Sequence, residues 1–248
     1  MTKLSVNLNK VALLRNTRAL GIPSVTKAAR ICIAAGAQGI TVHPRPDERH
    51  IRAADVDELA VLLRGFPQVE FNIEGNPFPP YMELARRTKP TQCTLVPDSP
   101  EAFTSDHGWD LERDGKKLEP VIAELHSLGA RVSLFMDAEP DAMAVAARVG
   151  ADRVELYTEP YAAAHARGDA SASLVRFAAS ARAARDAGLG VNAGHDLNLD
   201  NLVEFSTIPG LLEVSIGHAL VADALELGLY AAVQAYLRVL RRSAPPPS

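Results

Sequence analysis

Two histidines and two arginines fall within the eight residues His43 to His50, inside the stretch G-I-T-V-H-P-R-P-D-E-R-H that runs from Gly39 to His50. An imidazole exchanges protons near neutral pH, and a guanidinium matches the oxygens of a phosphate. Together they suit a phosphorylated substrate that needs proton transfer. A solvated loop after a core strand is the plainer alternative. Glu74 closes the segment E-F-N-I-E, where Glu70, Asn72 and Glu74 share one side of an extended chain. That makes Glu74 a candidate general base, or else half of a strand-end salt bridge. Two glycine–histidine pairs follow, in V-N-A-G-H-D (191–196) and S-I-G-H-A (215–219). Glycine lets a backbone approach an anion closely, so both turns are candidate phosphate contacts. His43, Glu74 and His195 could also ligate zinc, but the chain has no H-x-H at a strand end and no H-E-x-x-H.

The elements that must position these residues alternate from end to end. Apolar strand-like runs are expected at 4–7, 40–43, 69–74, 92–96, 131–137, 153–157, 189–192 and 212–216. Helical spacing follows at 25–35, with Ser24 as N-cap, then at 53–64, 80–88, 116–128, 140–149, 172–187, 199–205 and 219–240, with Gly228 as the candidate break. Gly36, Gly129, Gly150 and Gly188 stand where helix C-caps are needed. Eight strands, each followed by a helix, predict parallel pairing closed into a (β/α)8 TIM barrel. A doubly wound open sheet would carry a glycine-rich loop after the first strand, and L-N-K-V has none. The pattern predicts one domain over 1–242 and a flexible tail over 243–248.

In such a barrel the strand ends share one mouth. Here they are Asn7, His43, Glu74, Val96-Pro97, Asp137, Tyr157, Asn192 to His195, and Gly217-His218. Two stretches break the rhythm on the same side, Leu8 to Ile22 and Pro97 to Gly115, both read as long loops. Arg15 and Arg18, in the first, suit either a second anion or contacts between subunits. Asp137 and Glu155 read equally well as partnered structural carboxylates.

Composition bounds the rest. The 248 residues are 47% apolar, enough for one large core, and the formal net charge of −4 gives no basic footprint for nucleic acid. Cys32 and Cys93 have no metal-ligand spacing and read as small core residues. The N-terminus shows no signal-peptide run, and no apolar stretch has the length of a membrane span. A soluble, cytoplasmic protein is expected.

The motifs G-I-T-V-H-P-R-P-D-E-R-H-I, N-I-E, T-L-V-P, R-V-S-L-F-M-D, V-N-A-G-H and I-G-H-A coincide over about 4–240 with the pyridoxine 5′-phosphate synthase family of vitamin B6 biosynthesis, which this chain resembles. The resemblance implies an α/β barrel with additional helices, assembled as a homo-octamer and needing no metal or organic cofactor. It implies condensation of 1-deoxy-D-xylulose 5-phosphate with 3-amino-2-oxopropyl phosphate, with no nucleic-acid or membrane partner. His43 and Glu74 then match proton acceptors, and His195 a proton donor. Asn7 and Arg18 match contacts to the amino-oxopropyl phosphate. Asp196, Gly217 and His218 match its phosphate site. Arg45, His50 and Thr104 match contacts to the pentulose phosphate.

The chain departs from that pattern twice. Asn9-Lys10 replaces the usual Asp-His pair that touches the pentulose phosphate, and Asp196 stands where glycine is usual. Lys10 can meet a phosphate or carbonyl oxygen but is no near-neutral proton shuttle, and Asn9 cannot act as a base. A carboxylate at 196 is unfavourable beside a dianion unless it points away. Two rival readings follow: a phosphometabolite-binding paralogue that has lost turnover, or a different phosphosugar aldolase or isomerase on the same barrel.

Overall fold

A computed structural model describes residues 1–99 and 104–242 of the chain. The expected tail, 243–248, lies outside the described residues. Eight parallel strands close into a barrel in sequence order, with the last pairing back onto the first. They are β1 (Lys3–Asn7), β2 (Gly39–Val42), β3 (Glu70–Gly75), β4 (Gln92–Leu95), β5 (Arg131–Met136), β6 (Arg153–Tyr157), β7 (Gly190–Gly194) and β8 (Leu211–Ile216).

Between and around them run α1 (Asn9–Asn16), α2 (Val25–Ala34), α3 (Ala53–Leu63), α4 (Pro79–Thr88), α5 (Leu111–Ser127), α6 (Pro140–Arg148), α7 (Glu159–Ala166), α8 (Ala170–Asp186), α9 (Leu202–Phe205), α10 (His218–Leu227) and α11 (Leu229–Arg242). Ser24 caps α2 by accepting from the Lys27 N–H. Gly36, Gly129, Gly150 and Gly188 all take positive φ at helix ends, the conformation a side chain resists. Gly228, at φ 78°, separates α10 from α11.

Outward-facing strand residues such as Val6, Ile40, Ile73, Leu95, Leu134, Leu156 and Val191 pack under the helices and form the apolar core. The barrel interior is different. Its middle layer is polar and small: Ser5 and Thr41 hydroxyls meet at 2.6 Å, and Thr94 donates to Asn72 Oδ1 at 3.0 Å. Branched aliphatic residues usually dominate that layer. Below it, Lys3 and Arg131 both pair with Glu70, and Arg153 donates to Asn192 Oδ1 at 3.0 Å.

Three segments differ from the sequence expectation. Leu8 to Ile22 is not all loop: α1 forms there directly after β1. Its N-cap is Leu8, without a capping side chain, and it exposes Leu13 and Leu14, so the usual start signal and apolar stripe are missing. Residues 159–166, to which the sequence pattern assigns no element, form α7, with Pro160 in its first turn. Helix α5 begins at Leu111 because Asp110 caps it by accepting from the Arg113 N–H, five residues before the expected start at Lys116.

Candidate active site

The C-terminal strand ends enclose a cavity of about 400 Å³ lined by Asn7, Asn9, Lys10, His43, Arg45, His50, Glu74, Thr104, His195, Asp196 and His218, together with Leu13, Arg49, Ser105, Glu155 and Ser215. Nearly every residue expected to act therefore shares one space. Two do not line it: Arg18, exposed beyond the end of α1, and Gly217, whose neighbours Ser215 and His218 do. Arg15, in the same segment as Arg18, is no free anion ligand. It is buried, pairs with Asp55 through both terminal nitrogens, and donates to the His50 carbonyl at 3.1 Å. That pair fastens α1 to α3 and to the end of the histidine loop.

His43 stands one residue past β2 and is 7% exposed. Its Nδ1 is 3.9 Å from Glu74 Oε2. Burial, then the Arg45 charge, with smaller contributions from His50, His195 and Arg49, holds its pKa well below the usual histidine value. The ring is neutral at pH 7 and able to accept a proton. Glu74, inward on β3, receives one hydrogen bond at the mouth, from Asn7 Nδ2 at 3.3 Å. Burial, followed by the Asp98 and Glu213 charges, pushes its pKa up to about 8, against the pull of Arg45. Opposite, His195 packs against Phe135 and Tyr157 with ring centroids 4.9 and 5.4 Å away. Burial takes its pKa down to about 4, with Asp196 opposing.

The histidine loop is pinned by its own backbone. Pro44 bridges to Ile51, and His50 Nδ1 accepts the Ile51 N–H at 2.9 Å. That bond leaves the proton on Nε2, so a neutral His50 keeps a donor for an oxyanion. Burial, then Arg45 and Lys10, brings His50 down to about 4.

Asn9 explains the first departure from the family pattern. Its Oδ1 accepts the His43 backbone N–H at 2.9 Å, and its own N–H donates to Asn7 Oδ1 at 2.9 Å. The residue clamps the end of β1 to the end of β2. An amide oxygen does this as well as a carboxylate oxygen.

The two glycine–histidine turns have a packing reason for glycine beside the expected anion contact. A Cβ on Gly194 would collide with the Glu155 carboxylate, and one on Gly217 would come within 3.1–3.2 Å of Asn7. Both glycines make room for side chains that line the site. His195 and Asp196 take positive φ, 82° and 58°, in succession. Such backbone is strained for a residue with a Cβ. Thr158 holds the turn by donating to the Gly194 carbonyl at 2.6 Å and to the His195 carbonyl. Asp196 is exposed, and Gly217 and His218 open α10, whose N-terminus faces the mouth.

For Glu155 the sequence leaves a site role and a partnered structural carboxylate both open. It is 1% exposed, lines the cavity, and its Oε2 has no hydrogen-bond partner among the described residues. Burial, then Glu74 and Glu213, raises its pKa well above the usual carboxylate value, which favours its protonated form. The signal was its inward register between Arg153 and Tyr157. His43, Glu74 and His195, weighed as zinc ligands, form no metal-holding group among the described residues.

A closed eight-stranded parallel barrel with histidines, carboxyls and basic side chains gathered at its C-terminal mouth has the form of a TIM-barrel enzyme. The family model described as "Pyridoxal phosphate biosynthesis protein PdxJ" matches residues 4–242, and the chain belongs to that family. It is 64% identical over 245 residues to the pyridoxine 5′-phosphate synthase of Albidiferax ferrireducens, covering 96% of this chain and 97% of that one. It is 58% identical over 247 residues to the pyridoxine 5′-phosphate synthase of Xanthomonas campestris pv. campestris, covering 96% of each. Among solved structures, a 4-hydroxy-2-oxoglutarate aldolase aligns with a TM-score of 0.64 at 16% identity, over 96% of this chain and 94% of that one. A phosphoribosyl anthranilate isomerase aligns with a TM-score of 0.60 at 14% identity, over 98% and 100%. Those two share the fold alone.

Proposed function

We propose that this chain is a pyridoxine 5′-phosphate synthase, condensing 1-deoxy-D-xylulose 5-phosphate with 3-amino-2-oxopropyl phosphate to give pyridoxine 5′-phosphate, phosphate and water. The observation that carries this reading is the pairing of His43 with Glu74, 3.9 Å apart, in a cavity that His195 also lines.

The protonation states suit the chemistry. An amino ketone arrives as an ammonium and must become a free amine before it attacks the pentulose carbonyl. At pH 7 only the ionised fraction of Glu74 can accept this proton, and for that fraction a carboxyl of about 8 is matched to an α-amino group of about 8, so the transfer runs near balance. The arriving cation itself favours the ionised carboxylate. His43, neutral and beside Glu74, takes the next proton, removed from carbon beside a carbonyl or imine as the ring closes. His195 donates to the leaving oxygen in dehydration. Its empty-cavity value of about 4 is low for a donor, and a bound phosphate dianion corrects this by favouring the imidazolium. Glu155, as a neutral acid, supplies a further hydrogen-bond donor to a developing oxyanion.

Arg45, Lys10 and the Nε2–H of His50 meet the pentulose phosphate, with Thr104 at its rim. The α10 N-terminus at Gly217-His218, with Asn7 and the backbone at Asp196, receives the other phosphate. Asp196 is exposed, which lets its carboxylate turn to water. Arg18 reaches that phosphate only after movement of the 17–24 segment or from a second copy of the chain. The homo-octamer and the cytoplasmic setting belong to this proposal. No described helix is long and apolar enough to cross a membrane.

Purified protein mixed with both substrates is expected to release phosphate and form pyridoxine 5′-phosphate. Binding of both without product supports the paralogue reading. Turnover of either substrate alone supports an aldolase or isomerase. The Asn9 clamp weakens the case for the paralogue, because the substituted residue keeps the hydrogen bond that sets His43 in place.

A further inference from the structure

Asp98 takes no part in the acid–base scheme above, yet it is among the most tightly held charges at the mouth. It lies three residues past β4 and is 4% exposed. Its Oδ2 accepts from Ser105 Oγ at 2.8 Å and pairs with Arg45 Nη2. The same oxygen is 3.9 Å from Nε2 of His43, whose Nδ1 is 3.9 Å from Glu74. The His43 ring therefore stands between two carboxylates, one at each nitrogen. The Asp98 carbonyl also accepts from Asn76 Nδ2 at 3.1 Å. One residue thus joins the segments that follow β2, β3 and β4.

We propose that Asp98 is a positioning residue for the reaction: it holds the Arg45 guanidinium in the cavity wall and keeps Nε2 of His43 turned toward itself, leaving Nδ1 for Glu74. It touches no substrate and acts through those two side chains. The Asp98 carboxylate beside Nε2, with a protonated Glu74 beside Nδ1, favours the tautomer with its N–H on Nε2 and turns the Nδ1 lone pair toward the Glu74 carboxyl. A guanidinium already fixed by one carboxylate meets a phosphate without first being ordered.

The charge of Asp98 also reaches Glu74. The groups facing Glu74 are Asn7 from β1, His43 and Arg45 from the β2 loop, Asp98 from the β4 loop, Glu155 from β6 and Glu213 from β8. Burial is the largest cause of its raised pKa and Asp98 the next. Removing the Asp98 charge lowers the Glu74 pKa, and a guanidinium released from Asp98 acts in the same direction.

The catalytic arm of the test rests on the synthase reading; the binding arm does not. Wild type, Asp98→Asn, Asp98→Glu, Arg45→Gln and the Arg45→Gln/Asp98→Asn double variant are titrated with inorganic phosphate by calorimetry. The same proteins are then assayed with both substrates across pH. Asp98→Asn is expected to weaken phosphate binding and raise KM for the pentulose phosphate by about tenfold or more. It should also move the rising limb of kcat/KM to lower pH. Asp98→Glu should recover most of the affinity. Added to Arg45→Gln, Asp98→Asn should change phosphate affinity by no more than about twofold, because it acts through the arginine already removed. Losses that multiply in the double variant, or a folded Asp98→Asn with wild-type affinity and pH profile, overturn the inference. Should Asp98→Asn not fold, Ser105→Ala removes only the hydroxyl that anchors the carboxylate. The same pattern at smaller size supports the inference, and no change overturns it. A wild type that makes no pyridoxine 5′-phosphate ends the synthase reading, while the phosphate-binding cycle still decides Asp98.

Discussion

Glu70 and Glu74 lie four residues apart on β3, on the same inward face, and their surroundings have made them opposites. At the bottom of the barrel, Glu70 pairs with Lys3 and with Arg131. Burial pushes its pKa up, but the two hydrogen bonds outweigh it and hold the carboxyl below its usual range. Glu74 at the mouth has one amide donor at 3.3 Å, a histidine at 3.9 Å, and carboxylates as its electrostatic neighbours. Its pKa rises to about 8. One residue type on one strand face gives a satisfied ion at one end and a poised acid at the other. The satisfied carboxyl has nothing left to offer a substrate. The under-satisfied one is destabilised until a ligand completes it, which is the mark of a working group.

Breaking Glu74 should therefore produce the largest effect in the molecule. Glu74→Gln is expected to lower kcat by about 10³-fold or more while leaving inorganic phosphate affinity within about twofold, since general-base contributions run from about 10² to 10⁴. Turnover near wild type would remove Glu74 from the mechanism and make the two carboxylates equivalent. His195→Asn comes next. It should slow single-turnover dehydration and ring closure by about 10²-fold. Unchanged single-turnover rates would leave His195 a packing partner of Phe135 and Tyr157.

Stability should respond to the two glutamates with opposite signs. For Glu74 the native pKa of about 8 exceeds the unfolded value near 4.3, so the native state binds the extra proton between them. Stability then falls as pH rises through that window, and the full penalty stands above about pH 8. Gln carries no such penalty. At about pH 9, Glu74→Gln should raise stability by on the order of 2 kcal/mol, or about 4–8 °C in Tm. For Glu70 the native value lies below the unfolded one, so its contribution is complete above the unfolded value and is lost as pH falls through the native value. Glu70→Gln at pH 7 should lower stability by about 1–3 kcal/mol, between the surface and buried limits for an ion pair, with kcat unchanged. Calorimetric scans of both variants at both pH values check the pair. Shifts of the same sign would erase the distinction.

How much of this was written in the residue order depends on which periodicity carried it. The barrel was legible because eight apolar runs alternate with amphipathic stretches, and left-handed glycines such as Gly36 and Gly150 mark where each helix stops. The mouth was legible because strand ends in a barrel converge, so His43, Glu74 and His195 could be placed together without a contact map. Helix α1 was not, since Leu13 and Leu14 face outward and no polar cap announces its start. Helix α7 left a signal in Pro160 that was missed. One site residue stayed undecided and another stayed hidden, each for a physical reason. A strand glutamate such as Glu155 looks the same whether or not a cation meets it, and only the fold reveals that Oε2 has no partner among the described residues. Asp98 lies in a loop with no period at all, and its contacts come from residues 43, 45 and 105, which local sequence cannot bring together.

The smallest expected effect tests the residue that looked most damaging in the sequence. Asn9 replaces an acidic residue beside the pentulose site, yet its recorded bonds are an accepted His43 N–H and a donated backbone N–H to Asn7, each at 2.9 Å. Neither needs a charge. Asn9→Asp keeps the accepting oxygen and the backbone donor, so kcat/KM should change by less than about threefold, well under 1 kcal/mol. Asn9→Ala removes the acceptor and leaves the His43 N–H unpaired at a partly buried strand end, which should cost about 1–3 kcal/mol. It should show first as a fall in kcat, because the ring that moves is the one facing Glu74. A large loss in Asn9→Asp with little in Asn9→Ala would reverse this assignment. Charge at residue 9, rather than the clamp, would then set the mouth, and the contrast drawn from Glu70 and Glu74 would have to extend to the strand beside them.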